Sequence, residues 1–287
     1  MKTCVTTYSY HHYFDDNQLG YLGVIDKTKE IGFDGIEFIG RPNLEARPET
    51  AKEIKERCAE VGLEVVSYTV GADFINGSNG DLKDEIARLC KIIDYAAELG
   101  APRLRHDATG GFKDGRTCCR GYDDALPRLI QGCREVTKYA EQKGIKTMTE
   151  NHGGFSQDAN RVEKLINGVA SPNFGALVDI GNFMCADEDP NVSVGIMAPY
   201  AFHVHAKDFY WKSGNEINPG AGWFRTRAGN YLRGSIIGHG AARAYQSLQI
   251  LKRSGYDGYV SVEFEGAEDP LVGIQMGLDN IKRFIAD

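Results

Sequence analysis

The sequence has no apolar run near the roughly 20 residues that cross a bilayer, so no spanning helix and no membrane partner are expected. Its first residues, Met1-Lys2-Thr3-Cys4-Val5-Thr6-Thr7-Tyr8, carry no hydrophobic stretch of the secretory type, and the expected compartment is the cytoplasm. Seven cysteines are present, an odd number with no Cys-x-x-Cys pair, so neither a disulfide framework nor a thiolate zinc site is expected. The adjacent Cys118-Cys119 reads as two reduced thiols in a loop rather than a redox pair. Basic residues are outnumbered 33 to 40, giving a net charge of −7, which argues against nucleic acid as the main partner. No glycine-rich phosphate turn follows the first apolar segment, where Tyr8-Ser9-Tyr10-His11-His12-Tyr13 stands instead, and this disfavours a doubly wound open sheet. Only 9 prolines are present, and no linker divides the chain.

What is there is a hydrophobic fraction of 42% over 287 residues, enough for one large core, and residues 1–287 are expected to form one domain. The chain repeats one grammar. Gly32-Phe33-Asp34-Gly35-Ile36-Glu37-Phe38 is nearly copied by Gly255-Tyr256-Asp257-Gly258-Tyr259-Val260-Ser261-Val262-Glu263-Phe264. Val61-Gly62-Leu63, Leu99-Gly100-Ala101 and Lys143-Gly144-Ile145 are similar joints, each a glycine suited to end a helix and an apolar residue to start a strand. Before the joints lie helical stripes: Ala51, Ile54, Cys58, Val61; Leu82, Ile86, Leu89, Ile93; and Leu126, Leu129, Ile130, Cys133, Val136. After them come short apolar runs of the kind buried on both sides in parallel sheets. Eight strands are predicted, near 2–8, 35–39, 64–70, 103–107, 145–150, 174–180, 201–207 and 259–265. Eight βα units read as an α/β protein, a (β/α)8 TIM barrel. Between the seventh and eighth strands, residues 209–240 hold both tryptophans, Trp211 and Trp223, with Arg225, Arg227 and Arg233 and no clear period; the aromatic content predicts a long ordered loop capping one barrel end.

Barrels of this kind place their chemistry at the C-terminal strand ends. Four consecutive predicted strands end in metal-competent residues: Glu150, Asp179, His205, and Glu263 or Glu265. Glu150 to Asp179 is 29 positions and Asp179 to His205 is 26, each about one βα unit; His205 to Glu263 is 58, one unit plus the cap. The plain alternative is strand-end polarity at the solvent boundary, but four in register favour one site. Three carboxylates and one imidazole suit Mn²⁺ or Mg²⁺, with Zn²⁺ or Co²⁺ also accommodated. His203 and His205 share a strand face, and His205, nearer the strand end, is the better ligand. His203 is expected one layer deeper as a hydrogen-bonded core histidine.

These motifs resemble the xylose-isomerase-like barrel superfamily and, within it, the sugar phosphate isomerase/epimerase family, over essentially the whole chain. The carriers are Gly32–Glu37, Glu150-Asn151-His152-Gly153-Gly154, Val178-Asp179-Ile180-Gly181-Asn182, His203-Val204-His205-Ala206-Lys207-Asp208 and Ser261-Val262-Glu263. The resemblance implies one divalent ion, Mn²⁺ foremost, held by Glu150, Asp179, His205 and Glu263. It selects Glu263 over Glu265, because the family's glutamate follows a Ser-Val-Glu type of strand. It further implies that Glu150 and Glu263 act as an acid/base pair on opposite faces of a keto-sugar or keto-cyclitol, through a metal-stabilised enediolate. Two positions depart from the epimerase pattern: Asn182 stands for a histidine, and Lys207-Asp208 fills the place of an arginine.

Further candidates for substrate contact are His152, Lys207, His106, Asn182 and Glu37, the last expected to point into the barrel mouth. Lys207 has the competing reading of a salt bridge to Asp208, and His11 and His12 read as loop residues. Gly238-His239-Gly240 alone does not make a phosphate loop. The expected function is a metal-dependent sugar isomerase or epimerase, with a small-molecule sugar or cyclitol partner; monomer and homo-oligomer both stay open. The alternatives are a lyase of the same family (an inosose dehydratase or a 3-keto-glycoside eliminating enzyme), a non-catalytic or partner-dependent sugar-binding barrel, and an abasic-site endonuclease. The last fits worst, because strand three lacks its histidine and Asn182 replaces another ligand.

Overall fold

The structure is a computed structural model, and it describes residues 1–11, 13, 19–40, 47–113 and 120–287. His12 and the Cys118-Cys119 pair lie outside the described residues. Seven strands alternate with helices along the chain: β1 (Lys2–Thr6), β2 (Gly35–Ile39), β3 (Glu64–Val70), β4 (Arg103–His106), β5 (Lys146–Glu150), β6 (Phe174–Asp179) and β7 (Ala201–Ala206). A short cap sheet follows, made of β8 (Asp208–Lys212), β9 (Phe224–Arg225) and β10 (Tyr231–Ser235), before β11 (Tyr259–Val262). The main helices are α1 (Gly20–Ile31), α2 (Pro48–Val61), α3 (Leu82–Leu99), α4 (Tyr122–Gln142), α5 (Ala159–Val169), α6 (Pro190–Met197), α7 (Ala244–Arg253) and α8 (Pro270–Ala286). None of the described helices is long and apolar enough to cross a membrane.

The strands close into a parallel barrel in the order β1-β11-β7-β6-β5-β4-β3-β2, the architecture that eight βα units dictate. The helices seal its outside with the stripes read from the sequence. Leu89 and Ile93 of α3, and Leu129, Cys133 and Val136 of α4, are all inaccessible to solvent in one continuous core. Burying each such side chain contributes roughly 1.5–3 kcal/mol. The repeated joints have a common backbone reason: Gly32 and Gly255 close α1 and α7 at φ +97° and +89°, a left-handed conformation that a side chain disfavours.

The segment after β7 is ordered, as its aromatics foretold, but it is not merely a loop. β8 and β10 pair antiparallel from Asp208↔Ser235 to Lys212↔Tyr231, and β9 adds to the edge of β10. Its strands are short and interrupted by glycine, so no period accumulates over a readable length. Ring contacts hold it instead: Phe209 lies edge-on to Phe224 at 5.6 Å, and the Arg233 guanidinium covers Tyr210 and Trp223 at 5.2 and 5.5 Å. The sheet is anchored by Asp208. Its buried carboxylate accepts the backbone N–H groups of Phe209, Gly238, Gly240 and Ala242. Gly238-His239-Gly240 is therefore a nest for the chain's own carboxylate, and Lys207 turns away from its neighbour into the barrel mouth.

Candidate metal centre and active site

Strand register sets the first contacts. Asp179 and His205 are partners across β6 and β7, and His205 faces Ser261 of β11 on its other side. Glu150 is the last residue of β5, and Glu263 follows the last residue of β11, its N–H bonded to the Ala206 carbonyl. Glu150, Asp179, His205 and Glu263 are all buried, and one side-chain donor atom from each lies within 4.8 Å of the others. Three carboxylates are rarely buried together without a cation.

The cluster is held by directional bonds. The Asn151 side chain completes the edge of β6, accepting from the Asp179 N–H and donating to the Asp179 carbonyl, each at 2.9 Å. The Asn182 N–H donates to Asp179 Oδ1 at 2.7 Å, which aims Oδ2 into the cluster, where it is buried with no hydrogen-bond partner. Burial, then the Glu263 and Glu150 carboxylates, lift the Asp179 carboxyl well above its ordinary range against the pull of Lys207. Burial alone would also raise Glu263, but Lys207 and His205 outweigh it and hold that carboxyl well below the usual range. His205 Nδ1 is 3.0 Å from Glu263 Oε2, 3.8 Å from Asp179 Oδ2 and 4.0 Å from Glu150 Oε1. One nitrogen and three oxygens thus converge on one point, a hard, oxygen-rich donor set that fits a single divalent ion. The unpartnered Oδ2 is the observation that favours the fit.

Above the cluster, a cavity of about 200 Å³ opens at the C-terminal barrel end, lined among others by Tyr8, Arg105, Glu150, His152, Lys207 and Glu263. Lys207 Nζ lies 2.9 Å from Glu263, 3.5 Å from Glu265 and 3.7 Å from Asp179. Those carboxylates, Glu263 first, push its pKa up well beyond the usual ammonium value despite burial. Asn182 donates to Glu150 Oε1 at 2.9 Å and receives Lys207 at 3.4 Å. His152 is exposed on the rim, its Nδ1 3.0 Å from Asp107. Glu265 lies outside the four-residue cluster, with its Oε2 3.5 Å from the Tyr8 hydroxyl.

Glu37 and His106 lie elsewhere than in the mouth. Glu37 is fully buried beneath the cluster, bonded to Thr69, His203 and His205. The β2 side-chain alternation points it inward, but one layer below the rim. His106 is also fully buried, edge-on to Phe74, with Nδ1 2.8 Å from the Asp107 carbonyl. Burial pushes its pKa down to about 4, so it stays neutral there. His203 occupies the deeper layer the strand period predicts, without solvent exposure. His11 sits at the end of a short 3-10 turn, its ring stacked near Tyr8 at 5.8 Å.

Arg105, Asp107 and Tyr8 did not stand out in the sequence. Arg105 is buried, with Nε 2.7 Å from Glu150 Oε2 and a forked contact to Asp107. The Glu150 contact is ionic rather than an aligned hydrogen bond, since Nε has no well-directed acceptor. One signal was available: Arg103-Leu104-Arg105 places charges at alternate positions of a short strand, so both face the same side.

Comparison with known proteins agrees with this architecture. No curated protein matches the chain. Among solved structures, the IOLI protein with a bound zinc atom superposes with a TM-score of 0.77 at 17% identity, covering 100% of this chain and 98% of that one. The probable 3-DHS dehydratase AsbF from Bacillus anthracis gives 0.75 at 18% identity, covering 98% and 99%. A D-tagatose 3-epimerase-like protein gives 0.73 at 19% identity, covering 100% and 97%. At these identities the likeness is one of fold. The family model described as xylose isomerase-like TIM barrel matches residues 25–284, and the chain belongs to that family.

Proposed function

We propose that this protein is a divalent-metal-dependent isomerase or epimerase of a keto-sugar or keto-cyclitol, acting by proton transfer at a carbon beside a carbonyl. The observation that carries the reading is the buried cluster of Glu150, Asp179, His205 and Glu263, with an unpartnered Asp179 oxygen, under a cavity of about 200 Å³. These four residues would hold the ion; the oxygen-rich set favours Mn²⁺ or Mg²⁺ over Zn²⁺ or Co²⁺. Bound there, it would polarise the carbonyl and stabilise negative charge on adjacent substrate oxygens.

The chain's own residues supply the rest. Glu150 and Glu263 come from β5 and from the end of β11, three strands apart around a ring of eight, so they address a bound molecule from different sides. One carboxylate takes the proton from carbon, and the other returns a proton to the opposite face. Arg105 and Asn182 fix the orientation of Glu150, while Lys207 and His205 fix that of Glu263. His152 and Lys207, on the cavity wall, are placed to bind hydroxyl groups. Elimination of water is the second reading, favoured by Lys207: an ammonium 2.9 Å from the Glu263 base can protonate a departing hydroxyl.

Incubation with ketoses, inososes and 3-keto-glycosides in D₂O, with Mn²⁺ present, tests the reading. Conversion should place deuterium on the product carbon, and Glu150→Gln or Glu263→Gln should lower the rate about 10²–10⁴-fold. Product without deuterium would mean hydride shift and sink the two-glutamate mechanism. Sugar binding with no exchange would favour a binding barrel, and cleavage of abasic DNA would favour the nuclease.

A further inference from the structure

Beneath the proposed metal centre, one carboxylate gathers four side chains from three other strands. Glu37 projects from β2 across the barrel interior and is fully buried. Its Oε2 lies 2.8 Å from His203 Nε2, 2.8 Å from His205 Nε2 and 3.4 Å from Ser261 Oγ. Its Oε1 accepts the Thr69 hydroxyl at 2.6 Å. An ionised carboxylate only accepts hydrogen bonds, so both imidazoles must present N–H at Nε2. For His205 this has a consequence at the opposite ring atom. With the Nε2 proton held by Glu37, Nδ1 is the atom left to face Glu263, Asp179 and Glu150; it donates to Glu263 Oε2 at 3.0 Å, and it is this proton that an ion at the cluster would replace.

We propose that Glu37 is a positioning residue: by holding His205 at Nε2, its buried carboxylate fixes the ring rotation that aims Nδ1, and not Nε2, at the metal position. This rests on the metal reading above and adds to it a residue that touches neither ion nor substrate. The general reason is that a ligating imidazole is oriented and made more basic by an acceptor on its other nitrogen. Ser261 and Thr69 keep the acceptor in place, so its aim does not depend on solvent. Glu37, His203 and His205 also sit close enough to suggest a second ion. The distances speak against it: both Nε2 atoms meet the same oxygen at hydrogen-bonding length, and Ser261 approaches that oxygen as well.

The test is titration of the purified, chelator-stripped full chain with Mn²⁺ alone, following binding directly rather than turnover. Wild type should bind one ion per chain. Glu37→Gln keeps shape and can still accept through its oxygen, but loses the charge and the fixed aim; Mn²⁺ affinity should fall about 10–100-fold, with unfolding still cooperative. Glu37→Asp should recover part of that loss. His203→Asn, which removes the other imidazole from the same oxygen, should leave affinity within about threefold if Glu37 acts through His205. In the Zn²⁺-loaded, ¹⁵N-labelled protein, His205 should show a protonated Nε2 that Glu37→Gln broadens or shifts. Unchanged Mn²⁺ affinity in a folded Glu37→Gln chain would overturn the proposal while leaving the metal reading intact. So would equal loss in His203→Asn, or two ions per wild-type chain. No Mn²⁺ bound by wild type would sink the metal reading and this proposal together.

Discussion

At the scale of single residues, the two histidines of β7 carry the sharpest contrast. Both are buried and both donate to Glu37, yet only His205 also faces the three carboxylates. His205→Ala should abolish Mn²⁺ binding. His203→Ala should leave binding largely intact and cost about 1–3 kcal/mol of stability, from a lost hydrogen bond to a charged group. Calorimetric titration with parallel thermal melts separates the two, and equal metal loss would mean the strand phase is misassigned. The strand period gave this division directly, since residues two apart share a face and differ only in depth. The same rule gave no way to rank Glu37 among mouth residues. Its depth follows from the closure of β2 against β1 and β3, which a single strand does not reveal.

At the scale of elements, the buried start of α3 shows how a polar residue stabilises a junction. Glu85 accepts from Arg88 at 2.7 and 3.0 Å, from Ser78 Oγ at 2.9 Å and from the Asp73 N–H at 3.1 Å. Burial works against its charge, but Arg88 and these donors prevail and hold its pKa below the usual glutamate value. A depressed carboxyl contributes stability that is complete above the unfolded pKa of about 4.3 and is lost as pH falls through the folded one. Glu85→Gln should therefore lower Tm by a few degrees at pH 7, and the gap should narrow below about pH 4 as wild type protonates. A gap unchanged by acid would show that the side-chain shape, not the charge, matters. In the cap, Asp208 has the analogous role for the β8–β10 sheet. Replacing it with Asn puts amide hydrogens against backbone donors, and proteolysis should then cut within residues 213–222 before the barrel unfolds.

For the whole molecule, the barrel's closure and the metal site are linked, because the four clustered residues come from four neighbouring strands. An ion that binds only the folded chain stabilises it by about 2.7 kcal/mol at a concentration one hundred times its Kd. Mn²⁺ should accordingly raise Tm by several degrees, EDTA should reverse the rise, and Glu150→Ala, Asp179→Ala and Glu263→Ala should each remove it. A wild-type melt indifferent to both additions would speak against the site.

The sequence by itself determined the barrel. Eight short apolar runs recur along the chain, five of them following a glycine-ended helical segment, and a parallel strand buried on both sides has few other ways to hide its surface. It also determined which residues end consecutive strands, because the βα spacing is nearly constant. The tertiary structure alone decided what lies across the barrel: that Arg105 reaches Glu150, that Asp208 grips the Gly238-His239-Gly240 turn, and that Glu37 meets both histidines of β7. These contacts join residues from 30 to 168 positions apart. No local period encodes such pairings; they exist only once the ring closes and fixes which inward side chains share a layer.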